Sequence, residues 1–238
     1  MSINTAMTLK EISLSQAAAA RVLESHHLDY CCGGEQTLAQ ACRSANLDMD
    51  EVVAALAQAQ EKPQLLLREH DSTLTNQAGF ILDRHHVFTR SKLPRVGTLL
   101  ARIIERHGSD HAELKAVGDR FAELQILLDP HLIREEQILF PHIKALDRHN
   151  RGEPPLPPDS FGVIEDQIRQ SKDEHQMFVN LMKKIREFTA NFAPAADADS
   201  TYQTAYQALE GLETNLMHHI HLENDVLFPQ VLQLIGKL

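Results

Sequence analysis

Tryptophan is absent from the 238 residues, and tyrosine and cysteine occur only three times each. Three cysteines (Cys31, Cys32, Cys42) are too few for the cross-linked scaffold of a small secreted domain. No apolar run approaches the roughly 18 residues that span a bilayer, so no membrane partner is expected. The opening "MSINTAMTLKEISLSQ" lacks a basic stretch followed by an apolar one, so no signal peptide is expected. Positive charge is also scarce. Lys and Arg total 23 against 33 Asp and Glu, a formal charge of −10, which disfavours a nucleic-acid partner. These absences point to a cytoplasmic protein.

Strand signals are missing too. The 10 glycines and 10 prolines gather mostly at breaks rather than inside periodic segments, which predicts an all-α chain. Thr8-x-x-Glu11 forms a capping box for a first helix. Thr37 caps a second, and Asp48 or Asp50 a third. Residues 1–60 are therefore expected to form a small helical module, with a linker over 61–72. Long helical patterns follow at about 74–107, 110–147, 159–192 and 200–236, separated by "HGSD", "HNRGEPPLPPD" and "NFAPAADADS". Four long helices with short connections predict a four-helix bundle over 73–238. Pro94, Pro141 and Pro229 lie inside these patterns and should bend or interrupt them.

Histidine, by contrast, is abundant at 14 residues. Its placement is informative. "HLIREEQILFP" (His131 to Pro141) and "HIHLENDVLFP" (His219 to Pro229) share the pattern H-x-x-x-E-x-x-[IV]-L-F-P. Residues four apart share a helix face, so His131 pairs with Glu135 and His219 with Glu223. Glu136 and His221 fall off that face. Both phrases lie on the apolar stripe: Leu128, His131, Glu135, Ile138 and His142 in one, and Leu212, Leu216, His219, Glu223, Val226 and Gln230 in the other. A carboxylate in a bundle core needs a compensating cation, and neighbouring imidazoles make that cation a metal. His175 is the central polar residue of a third stripe, Phe161-Ile164-Ile168-Ser171-His175-Phe178-Met182-Ile185. The first long helix offers His85 or His86, and periodicity does not separate them. Surface histidines such as His107, His111 and His149 read as solvated.

Four histidines and two bridging glutamates would supply two metal ions with mixed N/O ligation. A solvent-derived bridge would leave one position open on each for a small ligand. That donor set suits iron or manganese. His-x-x-x-Glu also differs from the Glu-x-x-His order of ferritin-like carboxylate sites, and its nitrogen-rich field resembles that of haemerythrin.

"HHLDYCCGGEQTLAQAC" (His26 to Cys42), together with "HLIREEQILFP", "KDEHQMF" and "HIHLENDVLFP", resembles the iron–sulfur cluster repair di-iron proteins. In that family an ScdA-type module precedes a haemerythrin-like bundle. The resemblance spans essentially the whole chain and includes a nitric-oxide-responsive, NorA-like branch. It implies a cytoplasmic protein of the nitrosative and oxidative stress response with two non-haem iron ions, oxo- and carboxylate-bridged. It also implies nitric oxide or another small diatomic as ligand and damaged iron–sulfur proteins as clients. Carried over by position, the ligands are His86, His131, Glu135, His175, His219 and Glu223. His86 is preferred by its spacing to Leu93-Pro94. His85, His218 and His221 depart from the pattern and suggest a basic rim to the site.

Cys31 and Cys32 cannot form a relaxed disulfide with each other, because adjacent Cα atoms are too close. They read as free thiols for exchange, nitrosylation or transient metal handling, or as small packing residues. Iron donation, nitric-oxide scavenging or sensing, and nitric-oxide reduction remain open at this level. So do turnover and the choice between a monomer and a homodimer.

Overall fold

A computed structural model describes residues 4–15, 17–30, 33–59, 73–154, 156–157 and 159–238. The expected linker over 61–72 and the Cys31-Cys32 pair lie outside the described residues. Within them the chain is all-α: a small N-terminal helical part and a helical bundle. The only β-type pairing among described residues is an isolated bridge between Thr8 and Thr37.

The N-terminal part contains short helices at Leu9–Ser15, Ala17–Ser25, Leu38–Ser44 and Met49–Ala59. Reciprocal capping bonds start the first. The Thr8 N–H donates to Glu11 (2.8 Å), and the Glu11 N–H donates to the Thr8 hydroxyl (3.1 Å). Thr37 and Gln40 form a second capping box. Asp48, rather than Asp50, caps the fourth helix by accepting from the Asp50 and Glu51 N–H groups. The apolar faces enclose Leu9, Ile12, Leu23, Tyr30, Leu38 and Leu56. Cys42 is part of this core, and burial pushes its thiol pKa up, so it is a packing residue rather than a reactive one.

The long helical patterns appear at 74–107, 113–150, 160–188 and 200–235. The Glu113–Arg134 helix packs on both Val87–His107 and Ser160–Phe188. The third helix ends at Phe188, earlier than its apolar pattern suggested. Ala190, Asn191 and Phe192 then take positive φ values of 48°, 59° and 57°, which a right-handed helix cannot accommodate.

Three of the four long runs are interrupted by a widened, π-type turn: Leu82–His86, Glu135–Leu139 and Leu222–Leu227. In each, an N–H reaches back five residues: Val87 to Leu82, Phe140 to Glu135, Phe228 to Glu223. The extra residue advances the buried stripe by one position. The expected inward position of Ile138 is corrected: it is 38% exposed, and Leu139 is fully buried in its place. Val231, not Gln230, likewise continues the last stripe inward. The Leu-Phe-Pro ending has the same origin. Pro141 and Pro229 fall in the first turn of the α-helix that resumes after the widened one, where a missing N–H costs little. The third helix has no such turn. Its predicted stripe is buried from Ile164 to Ile185, and only Phe161, at the helix start, is exposed.

His107 and His111 are not solvated as expected. His111 Nε2 donates to Asp197 (3.1 Å) and its Nδ1 lies 3.2 Å from Glu113, while His107 Nε2 faces Asp199 at 3.3 Å. The buried Tyr202 ring packs against both imidazoles. These contacts tie the turn after the first long helix to the start of the fourth. The Asp197 hydrogen bond holds the His111 pKa above its ordinary value, and the same bond holds Asp197 below its own. A raised histidine stabilises the fold fully below its unfolded pKa of about 6.5 and loses that contribution as pH rises through the folded value. The Asp197 contribution is present above about pH 4 and is lost as pH falls through its depressed folded value. His111→Gln is therefore expected to lower the thermal midpoint more at about pH 5.5 than at about pH 9. Midpoints of both chains across that range check this, and equal shifts at the two ends would refute it.

Candidate metal centre

Six side chains form the centre, and all are buried: His86, His131, Glu135, His175, His219 and Glu223. The widened turns carry three of them. His86 ends the first such turn, Glu135 opens the second, and Glu223 lies near the start of the third. His175 lies midway along the uninterrupted third helix.

Two groups of donors result. His86, Glu135, His219 and Glu223 can each place one ligand atom within 4.8 Å of the others, and so can His131, Glu135, His175 and Glu223. The two groups share both glutamates and divide the histidines two and two. Within them, Glu135 Oε2 lies 3.5 Å from His86 Nε2 and 3.3 Å from His131 Nε2. Glu223 Oε1 lies 3.1 Å from His219 Nε2. Ser171, one turn before His175, donates its hydroxyl to Glu135 Oε1 at 2.8 Å.

The donor set fits metal. Two carboxylates at essentially zero exposure lie within 4.8 Å of each other. Their repulsion and lost hydration are unfavourable unless a cation sits between them. Nitrogen and carboxylate oxygen at this spacing, with no thiolate, match a hard-to-borderline divalent ion.

A second layer orients the imidazoles. His131 Nδ1 donates to Glu174 Oε2 (2.7 Å), and Arg134 pairs with the same carboxylate. Burial pushes the Glu174 pKa up, but the His131 hydrogen bond and the charges of His131 and Arg134 outweigh it and hold the group below the ordinary range. His86 Nδ1 donates to Glu136 Oε1 (3.0 Å), and Arg90 holds Glu136 from the other side. Each contact engages Nδ1 and leaves Nε2 facing the centre. Sequence reasoning placed Glu136 off the site face, and it is not among the grouped donors. Its role in orienting His86 was missed, because a contact between residues 50 apart has no local signature.

The structure separates His85 from His86. His85 is buried outside both groups. Its Nδ1 accepts from the Asn215 amide (3.1 Å) and its ring packs on Phe80. Both histidines fit the apolar pattern because the widened turn ends there: His85 continues the stripe before it and His86 begins the stripe after it. The expected basic rim is also corrected for His221, which is 2% exposed and paired to Asp225 at 2.9 Å.

Fold and centre together define a metal-binding helical bundle. Residues 79–231 match the haemerythrin HHE cation-binding domain, and residues 5–60 match ScdA_N, described as a domain of unknown function (DUF542). The chain is 32% identical over 227 residues to "Iron-sulfur cluster repair protein YtfE" of Yersinia pseudotuberculosis serotype IB (strain PB1/+) and equally to that of Yersinia pestis (strain Pestoides F). Each alignment covers 95% of this chain and 96% of the relative. The chain belongs to the haemerythrin-like iron–sulfur cluster repair protein family with an ScdA-type N-terminal domain. No helix among the described residues is long and apolar enough to cross a membrane.

The geometry ranks neighbouring glutamates. Glu135→Ala is expected to remove most bound metal, because both donor groups lose a member. Glu136→Ala should retain metal with affinity lowered about 10- to 100-fold, the range typical of lost support to a ligand. Metal content after gel filtration, with chelator competition, checks the order. Equal losses from the two variants would refute it.

Proposed function

We propose that this chain is a cytoplasmic di-iron protein that binds nitric oxide, or another small diatomic, and supports repair of damaged iron–sulfur clusters by supplying iron. The observation that carries the reading is the sharing of Glu135 and Glu223 by two donor groups with separate histidine pairs. In this reading His86 and His219 would hold one iron, His131 and His175 the other, and Glu135 and Glu223 would serve both. The name carried by relatives aligned over nearly the whole chain supports cluster repair as the role. Damaged iron–sulfur proteins are then its clients, as part of a nitrosative and oxidative stress response.

When bound, iron would supply open coordination positions for a diatomic ligand. The protein supplies the rest. Glu136 and Glu174 fix two imidazoles with Nε2 inward, Ser171 orients Glu135, and the buried stripe limits access of water.

Metal analysis should find about two irons per chain. Titration of the reduced protein with nitric oxide should saturate at about one equivalent per open position. A nitric-oxide-inactivated iron–sulfur enzyme should regain activity with the iron-loaded protein and not with the metal-free protein. Saturation without recovery would point to a scavenger or sensor, and continuous consumption with a gaseous product to a reductase. Fewer than one iron per chain after reconstitution would overturn the di-iron reading.

A further inference from the structure

We propose that Lys10 and Tyr30 of the N-terminal part are positioning residues for the second ligand pair, His219 and Glu223. The inference rests on reading that pair as metal ligands. The segment that carries them has two occupied faces. His221 is two residues from each ligand, about 200° round the helix, so it points away from the donors. It is nonetheless buried, and its Nδ1 donates to Asp225 Oδ2 at 2.9 Å. The Asp225 side chain is 2% exposed, and its other oxygen, Oδ1, lies 3.0 Å from Lys10 Nζ. The Tyr30 ring meets the His221 ring edge-on, with centroids 4.9 Å apart. Lys10 and Tyr30 therefore grip one His–Asp pair on the back of the ligand-bearing segment.

The grip has a firm base. The Lys10 N–H donates to the Gly34 carbonyl at 3.0 Å, and the Leu9 N–H to that of Gln36 at 2.9 Å. A Cβ at Gly34 would lie 2.2 Å from the Tyr30 carbonyl oxygen and 3.0 Å from the Lys10 Cβ, so glycine lets these strands of chain close up. Tyr30 is itself part of the N-terminal core. The Lys10 head group is partly exposed, but its anchor is fixed.

The gripped residues matter because of where they lie. Glu223 and Asp225 share the widened turn Leu222–Leu227. Such a turn has poorer backbone regularity than an α-helix and depends on outside contacts to keep its register. Holding Asp225 from behind limits rotation of the turn and keeps Glu223 facing the centre. The compactness of the chain agrees: the segment from Met217 on groups with residues 1–77 rather than with 78–216. The N-terminal part is then more than a carrier of thiols, since it sets how well one ligand pair holds its metal.

The test uses full-length, iron-loaded protein and measures the rate at which excess ferrous chelator extracts iron. Lys10→Met and Asp225→Asn should each speed extraction about tenfold, the lower end of the range for lost support to a ligand. The double variant should be no faster than Asp225→Asn alone, because both changes break one link. Lys10→Arg and Tyr30→Phe should restore near-wild-type rates, whereas Tyr30→Ala should not. Lys10 is on the surface side of the link, so Lys10→Met leaves the core intact, and unchanged helix content by circular dichroism verifies this. A wild-type rate in Lys10→Met, or independent effects that multiply in the double variant, would overturn the proposal. Wild-type protein that binds no iron would instead overturn the di-iron reading.

Discussion

Two glutamates share the interior of this protein within 4.8 Å of each other, and the surrounding architecture answers that constraint. Carboxylates placed so close and so dry repel each other and lose their hydration. The chain surrounds them with four imidazoles, a serine hydroxyl and a second layer of carboxylate–arginine pairs. Glu136 with Arg90 and Glu174 with Arg134 keep this outer charge balanced while engaging the histidine nitrogens that do not face the centre.

The helices contribute unequally to this arrangement. The third long helix is regular and presents His175 and Ser171 by simple periodicity. The other three runs each open by one residue beside the centre. In both duplicated phrases the backbone carbonyl of the glutamate shared by the two donor groups accepts the N–H of the phenylalanine in Leu-Phe-Pro. One residue thus serves twice: its side chain faces the centre and its carbonyl closes the widened turn.

The all-α class, the capping boxes at Thr8 and Thr37, and the stripe through His175 were legible because they follow local periodicity and capping chemistry. The pairs His131–Glu135 and His219–Glu223 were legible because each lies within one turn. Positions beyond a widened turn were not. Ile138 and Gln230 were assigned inward by extrapolating an α-helical register across an inserted residue, and the ambiguity between His85 and His86 has the same cause. Glu136 on His86, Glu174 on His131 and Lys10 on Asp225 are contacts across 50, 43 and 215 positions. No local pattern carries such information. The pairing of His107 and His111 was hidden for the same reason, since their partners Asp199 and Asp197 come from a distant loop.

The widened turns also bear on how such a sequence can change over time. Substitutions within H-x-x-x-E-x-x-[IV]-L-F-P can be absorbed wherever the side chain faces outward, as at Gln137. A one-residue change in length is absorbed as well. Losing one residue between the glutamate and the proline would close the widened turn into a regular α-helix and leave everything downstream on its present face, because the turn exists to hold that one extra residue. A length difference of one inside the phrase therefore marks the gain or loss of a widened turn. A search for distant relatives should tolerate a single gap there.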